Sequence, residues 1–356
     1  MIEFKRKHVI NIIFNHVQFH PTIKIKYMRM KRILGMGNAL VDVVTMIDND
    51  KLLEKFNLPK GSMQLVNTER SEIIMSGTKQ FKRTFTSGGS AANTIYGLAM
   101  LGTYTGFIGS VGRDETGDFF ENEMKLAGVN TLLLRRNNPT GTAVALITPD
   151  SERTFATCLG AAVELNAEDL HPELFRDYDI LYLEGYLINN FTLVESACRM
   201  AKENDLTIAL DLASYNVVEA YRKEFSSIVN EYVDVLFANE SEAKAFTGLP
   251  PLKALESLTG IAEVIIFKMG ADGSWIKSGK DIIKIAAEPV SCKDTTGAGD
   301  LYAAGFLYGF ANNLNPEKCG SLGSLMAGKV IEITGARMDE KRFADIRDII
   351  SKITRE

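Results

Sequence analysis

The segment Asp294-Thr295-Thr296-Gly297-Ala298-Gly299-Asp300 sets a carboxylate at the end of a run of small residues that opens an apolar stretch, Leu301 to Phe310. Small residues let the backbone pass close to a ligand, and the N–H groups at a helix start attract an anion. Asp300 closes that turn, where it can take the proton of an alcohol attacking a phosphorus held by those N–H groups. The chemistry this spacing predicts is phosphoryl transfer to a hydroxyl. Asp is also a preferred helix cap, so the segment alone leaves capping and catalysis level.

Four further segments can serve such a reaction. Gly35-Met36-Gly37-Asn38-Ala39-Leu40-Val41-Asp42 resembles a dinucleotide fingerprint, but Leu40 stands where the third glycine belongs and a β-branched run follows where a helix should open. Asn38 and Asp42 can instead hydrogen-bond vicinal hydroxyls of a sugar, or be a turn Asn and a loop Asp. Gly88-Gly89-Ser90-Ala91-Ala92-Asn93 repeats the pattern of paired glycines before a small-residue helix start, with Asn93 offering a donor and an acceptor to a hydroxyl. In Asn239-Glu240-Ser241-Glu242 the carboxylate of Glu242 can hold a magnesium-bound water, while the same residues also spell a capping box. Lys268-Met269-Gly270-Ala271-Asp272-Gly273 can border a nucleotide or form a plain turn.

Several classes of function are excluded. There is no G-x-x-x-x-G-K-[ST] and no protein-kinase H-R-D or D-F-G run. Three of the four histidines (His8, His16, His20) fall before residue 30 and His171 precedes a proline, so a Ser-His-Asp or histidine–metal centre lacks material. Cys158, Cys198, Cys292 and Cys319 form no C-x-x-C, which argues for reduced thiols and a cytoplasmic setting. The net charge of −5 understates the acidity of the body: beyond residue 29 there remain 34 basic and 44 acidic residues. Such a surface suits no nucleic acid, and no apolar run reaches the ~18 residues of a membrane span.

The elements that must position these residues alternate between strand-like and helix-like segments. Strands are expected at about 32–36, 104–110, 179–184, 206–211, 233–237 and 263–268. Helices are expected at about 89–102, 115–127, 191–204, 216–229, 240–247, 297–312, 316–334 and 340–353. Extra strands, 40–47 with 64–66 and 131–135 with 142–147 and 153–158, are read as an antiparallel lid over the active-site end. Residues 1–29 read as a dispensable extension and 30–356 as one domain, with lid strands from about 40–66 and 131–158. A monomer and a homodimer both remain open.

In this order the segments resemble the ribokinase-like (PfkB) family of carbohydrate and nucleoside kinases over nearly all of residues 31–353. The resemblance implies a three-layer α/β/α fold with a mostly parallel central sheet and a small β lid, ATP as donor, and Mg²⁺. It makes Asp300 the base, Gly297, Ala298 and Gly299 the anion hole, and Asn239 and Glu242 the residues governing magnesium and phosphate. Lys268, Gly270, Gly273 and Thr295 would border ATP, and Gly88, Gly89 and Asn93 the sugar. Gly37 to Asp42, Pro139-Thr140-Gly141-Thr142 and Glu152-Arg153-Thr154 look most like the adenosine kinase branch, so that Asn38, Asp42 and Arg153 would bind the nucleoside. Ala39 departs from the proline frequent there. Asp294 would contribute to a K⁺ site of the kind many members use. The expected reaction is ATP-dependent phosphorylation of the 5′-hydroxyl of adenosine or a related nucleoside, the alternative a sugar kinase acting on fructose, ribose or a sugar acid.

Overall fold

Ile33 to Met36 are all fully buried, and Ile33 and Leu34 face opposite ways into two separate cores, as alternate residues of a strand must. They form an interior strand of the large sheet in the computed structural model, which describes residues 30–150 and 152–354; the expected extension at 1–29 lies outside the described residues. In chain order the strands are β1 (Ile33–Met36), β2 (Leu40–Met46), β3 (Met63–Leu65), β4 (Arg83–Gly88), β5 (Thr105–Gly112), β6 (Asn130–Arg136) and β7 (Gly141–Ile147). There follow β8 (Arg153–Cys158), β9 (Ile180–Glu184), β10 (Thr207–Asp211), β11 (Val235–Asn239), β12 (Val264–Lys268), β13 (Ser274–Ser278) and β14 (Asp281–Ile285).

The large sheet runs β14-β13-β12-β11-β10-β9-β1-β5-β6, parallel from β12 to β6 with β13 and β14 antiparallel at one edge. On one face pack the helices Ser90–Met100, Ala298–Ala311, Pro316–Ile331 and Glu340–Ile353, through Ile95, Leu301, Met326 and Phe343. On the other pack Phe191–Glu203, Arg222–Tyr232, Glu240–Thr247 and Pro251–Ser257, through Leu193, Phe225, Ala243 and Leu255. The three-layer α/β/α expectation is met. After β1 the chain lays β5 and β6 to one side and then β9 to β12 to the other. The crevice at the carboxyl ends of β1 and β9 is therefore the switch point where ligands bind in open α/β sheets.

The second sheet runs β3-β8-β7-β2-β4. It mixes directions: β2/β4 and β7/β8 are antiparallel, β2/β7 and β3/β8 parallel. Val41, Val43, Val144, Leu146 and Ala156 bury one face, in a cluster with Leu53, Phe56 and Ile74. The register puts Asp42 on the opposite face together with Leu65. That face leaves Met46, Met63 and Leu65 exposed at 56%, 54% and 65%.

Three expectations are corrected. Segment 131–135 is not in the lid: it lies in β6, which follows the helix Glu115–Leu126 and pairs parallel to β5, because a strand–helix–strand unit returns the chain to the same sheet. The lid is mixed rather than antiparallel, and β4, unforeseen, closes one of its edges. The helix expected at 216–229 is two, Tyr215–Ala220 and Arg222–Tyr232. The β13–β14 hairpin was not anticipated either.

Candidate active site

Gly297, with φ +76°, caps the helix Ala298–Ala311, so Asp300 is not its cap. Its carboxylate is instead held across the crevice: Ser90 Oγ donates to Oδ1 at 2.7 Å and Asn93 Nδ2 to Oδ2 at 2.9 Å. Thr94 Oγ1 donates to the Asp300 carbonyl at 3.1 Å, fastening the two helices together. Burial pushes the Asp300 carboxyl up to about 6; the Asn93 and Ser90 donors work against that shift, as does Lys268, while Asp211 adds to it. Asn93 Oδ1 is buried and has no partner among the described residues.

The turn opens onto a cavity of about 840 Å³. Its lining includes Asn239, Glu242, Lys268, Gly270, Gly273 and Thr295 together with Gly297, Ala298, Gly299, Asp300 and Ser90. The volume is within the range of small-molecule and cofactor sites. Parallel registration delivers Glu184, Asp211, Asn239 and Lys268 to one sheet edge. Asn239 and Glu242 do form the capping box: Glu242 N donates to Asn239 Oδ1 at 2.9 Å, and Asn239 N and Nδ2 donate to the Glu242 carboxylate at 2.7 and 2.6 Å. Glu242 nevertheless also lines the cavity, and burial, with Asp211 beside it, raises its carboxyl to about 7. Lys268 Nζ pairs with Asp211 Oδ2 at 2.7 Å. A Cβ on Gly299 would lie 3.2 Å from that ammonium.

Beyond Asp300 lies the crevice between β1 and β9. Gly89 has φ +100°, and a Cβ there would collide with the Asn38 carbonyl, so the turn before Ser90 needs glycine. Asn38 donates its backbone N–H and its amide to Glu184 Oε1 at 2.9 and 2.6 Å, and Ala91 N donates to Oε2 at 2.8 Å. Burial raises the Glu184 carboxyl to about 7 against those three donors. The Asp42 carboxylate lies over Gly88, where a Cβ would come within 2.5 Å of it. Burial raises Asp42 to about 6, with the Arg337 cation opposing the shift and Asp300 reinforcing it. Arg337 donates to the Ser87 carbonyl at 2.7 Å and stacks 3.9 Å from the Tyr96 ring centre.

Arg153 lies at the Asp294–Asp300 turn: its guanidinium pairs with Asp294 Oδ2 at 2.7 Å and donates to Thr296 Oγ1 at 3.0 Å. Asp294 in turn accepts from Gly335 N at 2.5 Å and from Thr296 N and Oγ1 at 3.1 and 2.8 Å. Arg153 thus sets a positive charge beside Asp294. Unforeseen were Ser90 as a partner of Asp300, and Glu184, Asp211 and Arg337. Glu184 and Asp211 carried one signal, an acid closing an apolar strand.

The pfkB family carbohydrate kinase model matches residues 63–342. The chain is 30% identical over 254 residues to an uncharacterized sugar kinase of Archaeoglobus fulgidus, covering 70% of this chain and all of that one. It is 28% identical to the adenosine kinase of Saccharomyces cerevisiae, over 87% of this chain and 97% of that one. Among solved structures, the adenosine kinase of Sinorhizobium meliloti matches with a TM-score of 0.81 at 33% identity, over 90% of this chain and all of that one. A probable sugar kinase from Rhizobium etli matches equally, at 0.81 and 32%, over 91% and 100%. The fold and the site thus define a phosphotransferase acting on a hydroxyl group. The chain belongs to the pfkB family of carbohydrate kinases. These four relatives are named as adenosine kinases and sugar kinases. Among the described residues no helix is long and apolar enough to cross a membrane.

Proposed function

We propose that this protein transfers the γ-phosphoryl group of ATP to the 5′-hydroxyl of a nucleoside, adenosine in the first place. The observation that carries the reading is the Asp300 carboxylate, held by Ser90 and Asn93 of one helix at the mouth of the Gly297–Gly299 helix start. In the transfer the acceptor oxygen forms a bond to the γ-phosphorus, the bond from that phosphorus to the bridging oxygen of ADP breaks, and the acceptor proton passes to Asp300. The N–H groups of the turn take up charge on the phosphoryl oxygens. Asp42 and Asn38 bind the ribose hydroxyls.

Mg²⁺ fits as an ion held mainly by phosphates and water. No group of three or more His, Cys, Asp or Glu among the described residues could cage it. Glu242 keeps lone pairs beyond those engaged by Asn239 and can hold a bound water. When bound, the ion would supply charge neutralisation on the donor phosphates.

The nucleoside reading draws on the lid, whose exposed Met46, Met63 and Leu65 share a face with Asp42 and offer an apolar wall to a base. Tyr186, two residues beyond Glu184 at the end of β9, adds an aromatic ring at that sheet edge. The adenosine kinases among the relatives point the same way. The kinship to the Archaeoglobus sugar kinase keeps a sugar acceptor as the second reading. ADP release measured with adenosine, inosine, ribose, fructose and ketodeoxygluconate separates them. Adenosine is expected to give the highest kcat/KM. A free sugar turned over more efficiently would sink the nucleoside reading while leaving the kinase standing.

A further inference from the structure

The cavity beside the Gly297–Gly299 turn is lined by four carboxylates, Asp211, Glu242, Glu288 and Asp300, and by one cation, Lys268. For an anionic donor entering it, Lys268 is the one cationic side chain among the described lining residues, beside the N–H groups of the turn. β10 and β12 are not neighbours, since β11 lies between them, so the Lys268 side chain reaches across the end of β11 to meet Asp211. Both side chains are well covered, at 15% and 5% exposed. Asp211 is itself fixed, its Oδ1 accepting from Ala213 N at 3.1 Å while Oδ2 takes Lys268 at 2.7 Å. A lysine has three donors, and Asp211 is the hydrogen-bond partner of one among the described residues. The other two remain for the cavity, at the point where Gly299 carries no side chain and a Cβ would meet the ammonium.

We propose that Lys268 is a catalytic residue that contacts the donor's terminal phosphate oxygens at the Gly297–Gly299 turn, and that Asp211 is the positioning residue that aims it there. The inference rests on the kinase reading above and goes beyond it by assigning the cation of the transfer. Glycine at 299 suits it, because a Cβ there would stand 3.2 Å from the ammonium and press on it. A merely structural ion pair would make a different pattern: removing both partners together would restore activity, since a buried pair can be replaced by neutral residues with little loss.

The test compares Lys268→Met, Asp211→Asn and the double variant by steady-state kinetics, and by calorimetry with AMP, ADP and a non-hydrolysable ATP analogue. Lys268→Met is expected to lower kcat by about 100-fold, the loss typical of removing one charge-stabilising group, with acceptor KM within about threefold. Asp211→Asn should lower it by about tenfold, because the ammonium remains but is no longer aimed. The double variant should be as slow as Lys268→Met, and the weakening of binding should grow from AMP to the ATP analogue. A double variant near wild-type activity, or weakening equal for all three nucleotides, would overturn the proposal. Wild-type protein that binds nucleotides in proportion to their phosphates but releases no ADP with any acceptor would instead refute the kinase reading and leave Lys268 as a phosphate ligand.

Discussion

Asn93 Nδ2 lies 2.9 Å from Asp300 Oδ2, so a residue of the first turn of one helix orients the carboxylate in the first turn of another 207 positions later. The two glycine-rich turns that begin those helices thereby become one site. Replacing Asp300 with Asn keeps the shape and removes the proposed proton acceptor. Turnover is expected to fall by about 10²- to 10⁴-fold, with acceptor KM changed little. Steady-state kinetics against adenosine checks this, and near-normal kcat in D300N would show that another group takes the proton.

The protonation state of Asp300 sets a pH limb. Its carboxyl is raised to about 6 by burial, and a general base works only when ionised, so kcat/KM should fall about tenfold per unit as the pH drops below about 6. Ser90 and Asn93 donate to the ionised form and hold the value down. Ser90→Ala and Asn93→Ala should therefore move the limb upward. A limb that stays in place in both variants would mean that a different group titrates.

What was legible in the sequence is what is local in the chain. The Asp294–Asp300 turn, the Gly88–Gly89 turn and the Asn239–Glu242 pair each declare themselves within a few residues, since helix starts and capping boxes are short-range devices. Glu184 and Asp211 are single acids at the ends of apolar strands, and only the strand order β10-β9-β1 reveals that the first meets Asn38 and Ala91. Arg337 reaches Ser87 over 250 positions, a contact no spacing encodes. The misreading of 131–135 has a comparable origin. Alternation identifies a strand but not its sheet, and the half-buried pattern of β6 suits a sheet edge as well as a lid.

Arg153 ties β8 of the smaller sheet to the Asp294–Asp300 turn. Burial would raise the Asp294 carboxyl, but Gly335 N, the Thr296 donors and Arg153 outweigh it and leave it below its ordinary value. A lowered folded-state value contributes stability above the unfolded value of 3.8, and loses it as pH falls through the folded one. Asp294→Ala is expected to cost about 3 kcal/mol at pH 7, because it leaves a well-covered guanidinium unpaired. Urea unfolding at pH 7 and at pH 3 should show the gap between wild type and variant narrowing at the lower pH. A gap that does not change would place the loss in packing rather than in the charge.

Glu184 gathers Asn38 and Ala91 onto the end of β9, so it holds both loops of the proposed acceptor site and is not among the residues lining the cavity beside the Gly297–Gly299 turn. Glu184→Gln keeps an acceptor for Asn38 but turns an NH₂ group toward Ala91 N–H. Losing one hydrogen bond to a charged group, about 1.5–3 kcal/mol, predicts a fall of about 10- to 100-fold in kcat/KM for the acceptor, with KM for ATP unchanged. Stability should respond in the opposite sense to Asp294. The folded-state value, raised by burial to about 7 from 4.5, adds stability below the unfolded value that is lost as pH climbs through 7. The stability of wild type relative to E184Q should therefore decline from about pH 4.5 to pH 7 in thermal unfolding. A difference that does not vary with pH, together with equal losses for acceptor and ATP, would mean that Glu184 supports the fold as a whole and not the acceptor loops.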